Sequence, residues 1–354
     1  MHVRDYVKNK IAGHGRGAEC MRDFAIGCTY NYSQPQEKLS PLERFRRVRD
    51  TGAFDYINWL PPRPLIDECI KASQETGIPM TTGNCGLQLG RDDERLGALL
   101  EDAGRVDMKL LNVMLNTYAA DGHELTDVEI TDAYKRGMDL GARHGVEVSF
   151  EVHVDCWTES YKRVVPFVTA LRGEGVKVNV TLDYSHVVFK IANPAEQRIS
   201  GVEEDVAAGR VVLDPFMPGN LCEEWLALNV ISFAQFRPVS PHNPRNVWAR
   251  NEDGSMPRGI MYPFVPPGEG EWHSPWHAFE LATCKEAFRH VMRHHLTDDA
   301  SPLQYVITEM IARADYGLNA KFSLLEHNAE CARWIRREWA YLKKLHAAGL
   351  PLQA

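Results

Sequence analysis

The stretch Val146–Ser160, VEVSFEVHVDCWTES, decides how this chain is read. It opens as a β-type run, Val146–Phe150, and the run ends in a carboxylate, Glu151, with His153 and Asp155 beyond it. Alternate side chains of an extended chain share a face, so all three can point to one side. Three later runs end in the same manner: Val176–Leu182 in Asp183, Leu228–Ala234 in Gln235, and Tyr305–Thr308 in Glu309. A barrel of parallel strands gathers the C-terminal ends of its strands on one face, where residues distant in sequence converge. Three acids with imidazoles beside them would be costly to cluster unless a divalent cation neutralised them.

Outward from these runs, short apolar segments alternate with amphipathic ones, as βα repetition does. Strands are expected at Phe24–Thr29, Phe54–Trp59, Pro79–Thr82, Met108–Met114, Val146–Phe150, Val176–Leu182, Leu228–Ala234 and Tyr305–Thr308. Helices are expected at Leu42–Thr51, Leu65–Thr76, Asp92–Ala103, Asp127–His144 and Ser160–Arg172, with Gly52, Gly77, Gly145 and Gly175 placed as C-caps. A doubly wound open sheet would use fewer strands and open on a glycine-rich phosphate turn, and no G-x-G-x-x-G follows the first strand. The pattern predicts an α/β fold, a single (β/α)8 TIM barrel with long loops after strands 6 and 7 and an extra C-terminal helix, Asn328–Ala347. The expected divisions are an N-terminal extension over 1–22, the barrel over 23–320, and a C-terminal helical extension over 321–354. Lys190–Glu224 and Phe236–Glu271 are the long connections; following strand C-termini, they would overhang the active face.

Composition narrows the function. The chain has 354 residues, 44% hydrophobic and 25% charged, ordinary values for a soluble globular protein. A formal charge of −8 argues against a sequence-independent phosphate-binding surface, which needs a basic footprint, so no nucleic-acid partner is expected. Eight cysteines without a C-x-x-C pair suit reduced core thiols rather than a disulfide framework or zinc knuckle. The polar first residues, MHVRDYVKNKIAGHGRG, do not read as a secretory signal, and no apolar stretch approaches the roughly 20 residues that span a bilayer. A cytoplasmic protein with no membrane partner is the expectation.

The chemistry-bearing residues follow the strand ends. NVTLDYSHVVF, Asn179–Phe189, gives Asp183 and His186, a D-x-x-H at a strand-to-helix turn. SFAQFRP, Ser232–Pro238, offers Gln235 and Arg237 on one side; Gln is a poor ligand through its amide oxygen, and Arg237 suits a substrate oxygen anion or a carboxylate. YVITEMI, Tyr305–Ile311, sets Glu309 in an apolar strand, where an unpaired acid is rarely tolerated. PGEGEWHSPWH, Pro267–His277, supplies His273 and His277, one of which could reach an ion in place of the strand-seven residue. Trp59, Asn84, Asn112, Asn116 and His123 fall at the ends of strands two to four and are candidates to line a pocket, although barrel packing explains Trp59 equally well. His290, His294 and His295 have helical spacing but no acidic partner, and read as solvated.

The order of Glu151, D183-x-x-H186, Q235-x-R237, G268-E-G270 and Glu309 resembles the xylose isomerase-like TIM barrel superfamily over roughly Phe24 to Lys321. That group holds sugar isomerases and epimerases, dehydratases, C-glycoside deglycosidase subunits and endonuclease IV. The resemblance implies one divalent ion, Mn²⁺ first, with Mg²⁺, Co²⁺ or Zn²⁺ as alternatives, held by Glu, Asp, His and Glu at the ends of strands five to eight. Residue by residue it carries over to Glu151, Asp183 and Glu309. Gln235 stands where the family has His, leaving Gln235 or His273 as the fourth ligand. A second departure is Trp157, which stands where similar epimerases place a catalytic Glu; proton transfer then falls to Glu309, His153 or His186. Arg237, Trp59, Asn112, Trp157 and His277 are expected along the substrate. The implied activity is isomerisation or epimerisation of a sugar or keto-sugar by proton abstraction alpha to a metal-bound carbonyl. The alternative is a lyase or deglycosidase acting on a 3-keto-glycoside. An endonuclease IV-like nuclease carries less weight, since strands two and three end in Trp59 and Asn84 rather than His, and so does a non-catalytic barrel, since the acids are retained. A carbohydrate substrate, a homo-oligomer, and a small partner subunit in the deglycosidase case complete the expectations.

Overall fold

The computed structural model describes residues 23–242 and 245–352. The N-terminal extension expected over 1–22, with Cys20, lies outside the described residues.

Eight parallel strands close into a barrel in sequence order. They are β1 (Ala25–Thr29), β2 (Tyr56–Asn58), β3 (Met80–Leu87), β4 (Leu110–Leu115), β5 (Glu147–Val152), β6 (Val180–Asp183), β7 (Ile231–Phe236) and β8 (Tyr305–Thr308). Closure is made by β1 pairing with β8, with Gly27 opposite Ile307. Every strand predicted from periodicity is present. The main difference is β3, which continues five residues past Thr82, so Asn84 lies within the strand and pairs in register with Asn112 of β4.

The expected helices form, capped as the sequence signals. Thr126 caps Asp127–His144 through a reciprocal pairing with Glu129, and Gly77 and Gly145 end their helices at φ of 72° and 68°. That left-handed region is open to glycine without a Cβ penalty. The connection from β6 to β7 contains four short helices, Ser185–Val188, Pro194–Ile199, Glu203–Ala207 and Leu221–Ala227. The last helix, Leu324–Ala347, begins at the Ser323 cap, four residues before Asn328. It packs over the seam between β8 and β1, with Trp339 stacked near Phe24 and bonded to Asp23 at 2.7 Å. It thus takes the place of the eighth barrel helix.

Inside the barrel, side chains form layers. Tyr56, Leu110, Phe233 and Ile307 make a small apolar floor. Gly27 leaves room for the Tyr56 ring, whose hydroxyl donates to the Val306 carbonyl at 2.8 Å; a Cβ there would lie 2.3 Å from the ring. Above the floor, Thr82 donates to Asn58 and Ser149 pairs with Thr181, so these buried hydroxyls are satisfied. The acidic layer sits on top, at the C-terminal rim. The seven described cysteines are buried free thiols, and among the described residues no helix is long and apolar enough to cross a membrane.

The long loop after β7 is tied down by ion pairs. Arg258 reaches Glu159 at 2.8 Å, the two oxygens of Glu196 at 3.2 and 3.1 Å, and Asp155 at 3.3 Å. Lys190, fully buried, meets Glu159 at 2.5 Å and also the Ser200 hydroxyl. One network therefore joins the segments that follow β5, β6 and β7. Burial alone would raise the Glu159 carboxyl, but Lys190 and Arg258 outweigh it and hold it down to about 2. A depressed folded pKa gives stability that is present above the ordinary value of 4.5 and is lost as pH falls toward 2. Glu159→Gln should therefore lower unfolding free energy at pH 7 by about 3 kcal/mol, the usual scale for breaking a buried pair. Urea unfolding at pH 7 and pH 3 checks this: the gap between wild type and variant should shrink in acid, and a gap independent of pH would refute it.

Candidate active site at the barrel rim

Glu151 near the end of β5, Asp183 at the end of β6 and Glu309 just past β8 converge in one buried cluster, at 2%, 0% and 6% exposure. Arg237, one residue beyond β7 and 2% exposed, links two of them. Its Nη2 lies 2.8 Å from Asp183 Oδ2 and also contacts Glu309 Oε2, while its Nε donates to the Glu309 carbonyl at 3.3 Å. The Tyr316 ring lies under the guanidinium, 4.2 Å from its centroid. Register explains the geometry: Asp183 pairs with Gln235, and Arg237 follows two residues later on the same face.

Glu151 occupies the other side of the cluster. Asn112 donates to Glu151 Oε2 and, at 3.3 Å, to Asn84 Oδ1; Asn84 in turn donates to Glu309 Oε1 at 3.4 Å. The ligand atoms of Glu151, His153 and His186 all lie within 4.8 Å of one another, and the two imidazole rings are 4.1 Å apart. His186 Nε2 is 3.3 Å from Asp183 Oδ2 and 3.3 Å from Arg237 Nη1. His153 uses Nδ1 against the Val154 carbonyl.

Electrostatics divides the acids. Burial would raise Asp183, but Arg237 and His186 outweigh it, holding its carboxyl well below the usual range. Burial raises Glu309, with Asp183 adding and Arg237 opposing. Burial, then Glu309 and Asp183, push Glu151 far above its ordinary value. Burial lowers His186 to about 4, against the pull of Asp183, and lowers His153 well below its usual value. Both imidazoles are therefore neutral near pH 7.

The other expected residues fall elsewhere. Gln235 is in the acidic layer, 3% exposed, and neither atom of its amide has a hydrogen-bond partner. Asn112 is fully buried and positions Glu151. Trp157, expected along the substrate, is instead core: the short 3-10 turn Trp157–Glu159 places its indole against Phe167 at 4.7 Å. Trp59 stacks on Tyr30 at 5.2 Å with Arg44 above it, so packing accounts for it. His273, expected as a possible ligand, packs against Trp272 and Trp248 within the β7 loop. His277 is exposed and stacks on Phe279, which corrects its expected place along the substrate. Asp155 turns outward at φ 61° and pairs with Arg258, so the alternation that starts at Glu151 stops at His153. Arg237, expected to hold substrate, has its first partners in the protein's own acids. His290 and His294 bond Pro215 and Asn229 rather than solvent alone.

Two contributors have no signal in the sequence. Asn328, on the last helix, accepts from the Met310 N–H and donates to the Met310 carbonyl, both at 2.9 Å, clamping the residue after Glu309. Tyr316, in an irregular segment, supplies the ring beneath Arg237.

No family model and no curated protein matches this chain. Solved structures do. A 3-keto-D-glucoside 4-epimerase, YcjR, from E. coli is 14% identical, with a TM-score of 0.51, covering 89% of this chain and 100% of that one. D-allulose 3-epimerase from Methylomonas sp., solved with D-allulose, is 10% identical with a TM-score of 0.53, covering 89% and 96%. A xylose isomerase-like TIM barrel protein from Mycobacterium smegmatis, solved with magnesium, is 14% identical with a TM-score of 0.51 and the same coverages. The likeness is one of fold: at these identities it shows the closed eight-stranded barrel that this chain shares with those structures.

Arg237→Met leaves Asp183 and Glu309 buried side by side without a counter-charge. We expect a loss of about 3–5 kcal/mol in denaturant unfolding at pH 7. A loss no larger than that from removing the exposed Arg46–Glu75 pair would show that Arg237 does not hold the cluster together.

Proposed function

We propose that this chain is a divalent-metal-dependent enzyme that isomerises or epimerises a sugar or keto-sugar by abstracting the proton alpha to a carbonyl. The observation that carries the reading is the buried cluster itself: three carboxylates against one guanidinium, at the rim of a barrel whose fold sugar epimerases share. Charge of that kind is retained away from water only where something binds it. The unpartnered amide of Gln235 and the unpartnered Nδ1 of His186, both buried, mark the same place as one built for a polar ligand. These donors fit a divalent cation, which when bound would supply Lewis acidity toward a substrate carbonyl.

The protein's own groups then divide the remaining work. Glu309 is the proton acceptor: burial raises its carboxyl, which makes it a stronger base than a solvated glutamate. Asn84 donates to one of its oxygens and the Asn328 clamp holds the following residue, so the base is oriented from both sides. Arg237 steadies Asp183 and Glu309.

A second reading is favoured by one observation. Trp157, where the resemblance places the second acid of an epimerase, is buried in the core. With no second acid at that position, the same proton abstraction by Glu309 followed by loss of a beta substituent would make a lyase, with a 3-keto-glycoside as its substrate.

Both readings begin with exchange of a carbon-bound hydrogen. Mn²⁺-loaded protein offered a panel of ketoses and 3-keto-glycosides in D₂O should incorporate deuterium, followed by NMR. Glu309→Gln should slow that exchange by about 10²–10⁴-fold, the range general-base catalysis supplies. Undiminished exchange in the variant would remove Glu309 from the mechanism.

A further inference from the structure

The four positions that the sequence resemblance assigns to the ion are not the best donor set in the folded chain. Of those four, Asp183 and Glu309 already share the Arg237 Nη2, and Gln235 offers only an amide. The carboxylate left without a cationic partner is Glu151, whose hydrogen bond comes from a neutral amide, Asn112. Its nearest ligand-bearing neighbours are two imidazoles, His153 and His186, with all three ligand atoms inside 4.8 Å.

Each ring is prepared by what its other nitrogen does. His153 Nδ1 faces the Val154 carbonyl, a contact that requires a proton on Nδ1 and leaves the Nε2 lone pair available. His186 Nε2 lies 3.3 Å from both Asp183 Oδ2 and Arg237 Nη1 and accepts from the guanidinium, which can only donate; Nδ1, buried with no hydrogen-bond partner, carries the proton and becomes a ligand once that proton leaves. A metal-ligating histidine typically donates its second N–H to a carboxylate or a backbone carbonyl, and His153 has such a partner in the Val154 carbonyl. Charge agrees. Glu151 is the one carboxylate of the three that no guanidinium contacts, so a cation beside it offsets the cost of its burial.

We propose that the divalent cation of this protein is held by Glu151, His153 and His186, a two-histidine, one-carboxylate set, while Arg237 takes the Asp183–Glu309 position. This rests on the metal-dependent reading above and deepens it. Two consequences follow from ligand chemistry. Three protein ligands leave positions open for substrate oxygens. Imidazole nitrogens favour first-row transition ions such as Zn²⁺, Co²⁺ or Fe²⁺ over Mg²⁺, which prefers an all-oxygen site.

The test is Co²⁺ binding to the metal-free full-length protein, read by calorimetry and by visible absorption of the bound ion. The expected result is one site per chain, weaker for Mg²⁺. Affinity should fall at least about 100-fold in His153→Ala and His186→Asn, with loss or shift of the visible band, and by less than about threefold in Gln235→Ala and Glu309→Gln. Circular dichroism melting establishes that each variant is folded; His153→Gln replaces any that is not, and is expected to lose the band as well. Loss of affinity in Gln235→Ala and Glu309→Gln with His153→Ala unaffected would overturn this ligand set and leave the metal-dependent reading standing. Failure of the wild type to bind Co²⁺, Zn²⁺ or Mn²⁺ would overturn both.

Discussion

The guanidinium of Arg237, buried between Asp183 and Glu309, is the interaction on which the rim of this barrel depends. Without it three carboxylates would share a dry pocket, and mutual repulsion together with desolvation would protonate them or open the cluster. With it, two acids are paired and the third, Glu151, is set apart beside neutral imidazoles. The cation built into the chain thus decides which donors remain for a cation from outside. Tyr316 beneath the guanidinium, and the Asn328 clamp beside Glu309, both come from segments after β8, so the last part of the chain completes the site.

The rest of the fold delivers these groups to one place. Parallel strands in sequence order put Asp183 beside Gln235 and carry Arg237 and Glu309 to the same level. Below them, the Thr82–Asn58 and Ser149–Thr181 pairs form a polar layer over an apolar floor. Above, Arg258 and Lys190 bind the segments after β5, β6 and β7 to one another through Glu159 and Glu196. Rigid layers under the cluster and a pinned surround over it are what a preorganised site needs.

Much of this was legible in the sequence, for physical reasons. Strands of period two, helices closed by glycine caps and acids stranded in apolar runs are local signals, and they placed all eight strands as well as Glu151, Asp183 and Glu309. Partners across the barrel are not local. Nothing in Q235-x-R237 says that the arginine will turn to its own acids instead of a substrate, because that choice depends on which strand ends face β7. The failure at Trp157 has the same origin: a turn of 3-10 helix, invisible to alternation, rolls the indole into the core. His153 was read as following Glu151 on one face, yet its closeness to His186 depends on the stagger between β5 and β6. Asn328 sits on a helix whose amphipathic pattern predicts packing, and gives no hint of a side chain that binds the backbone of β8's end.

The account reduces to a statement about donors: Arg237 takes Asp183 and Glu309, and Glu151 with the imidazoles of His153 and His186 is left for a cation from outside. Anomalous diffraction from crystals grown with Zn²⁺ tests this most directly. The account predicts one strong peak bonded to Glu151, His153 and His186, with Arg237 still paired to Asp183 and Glu309. A peak between Asp183 and Glu309 with Arg237 displaced, or no peak at the rim, would contradict it.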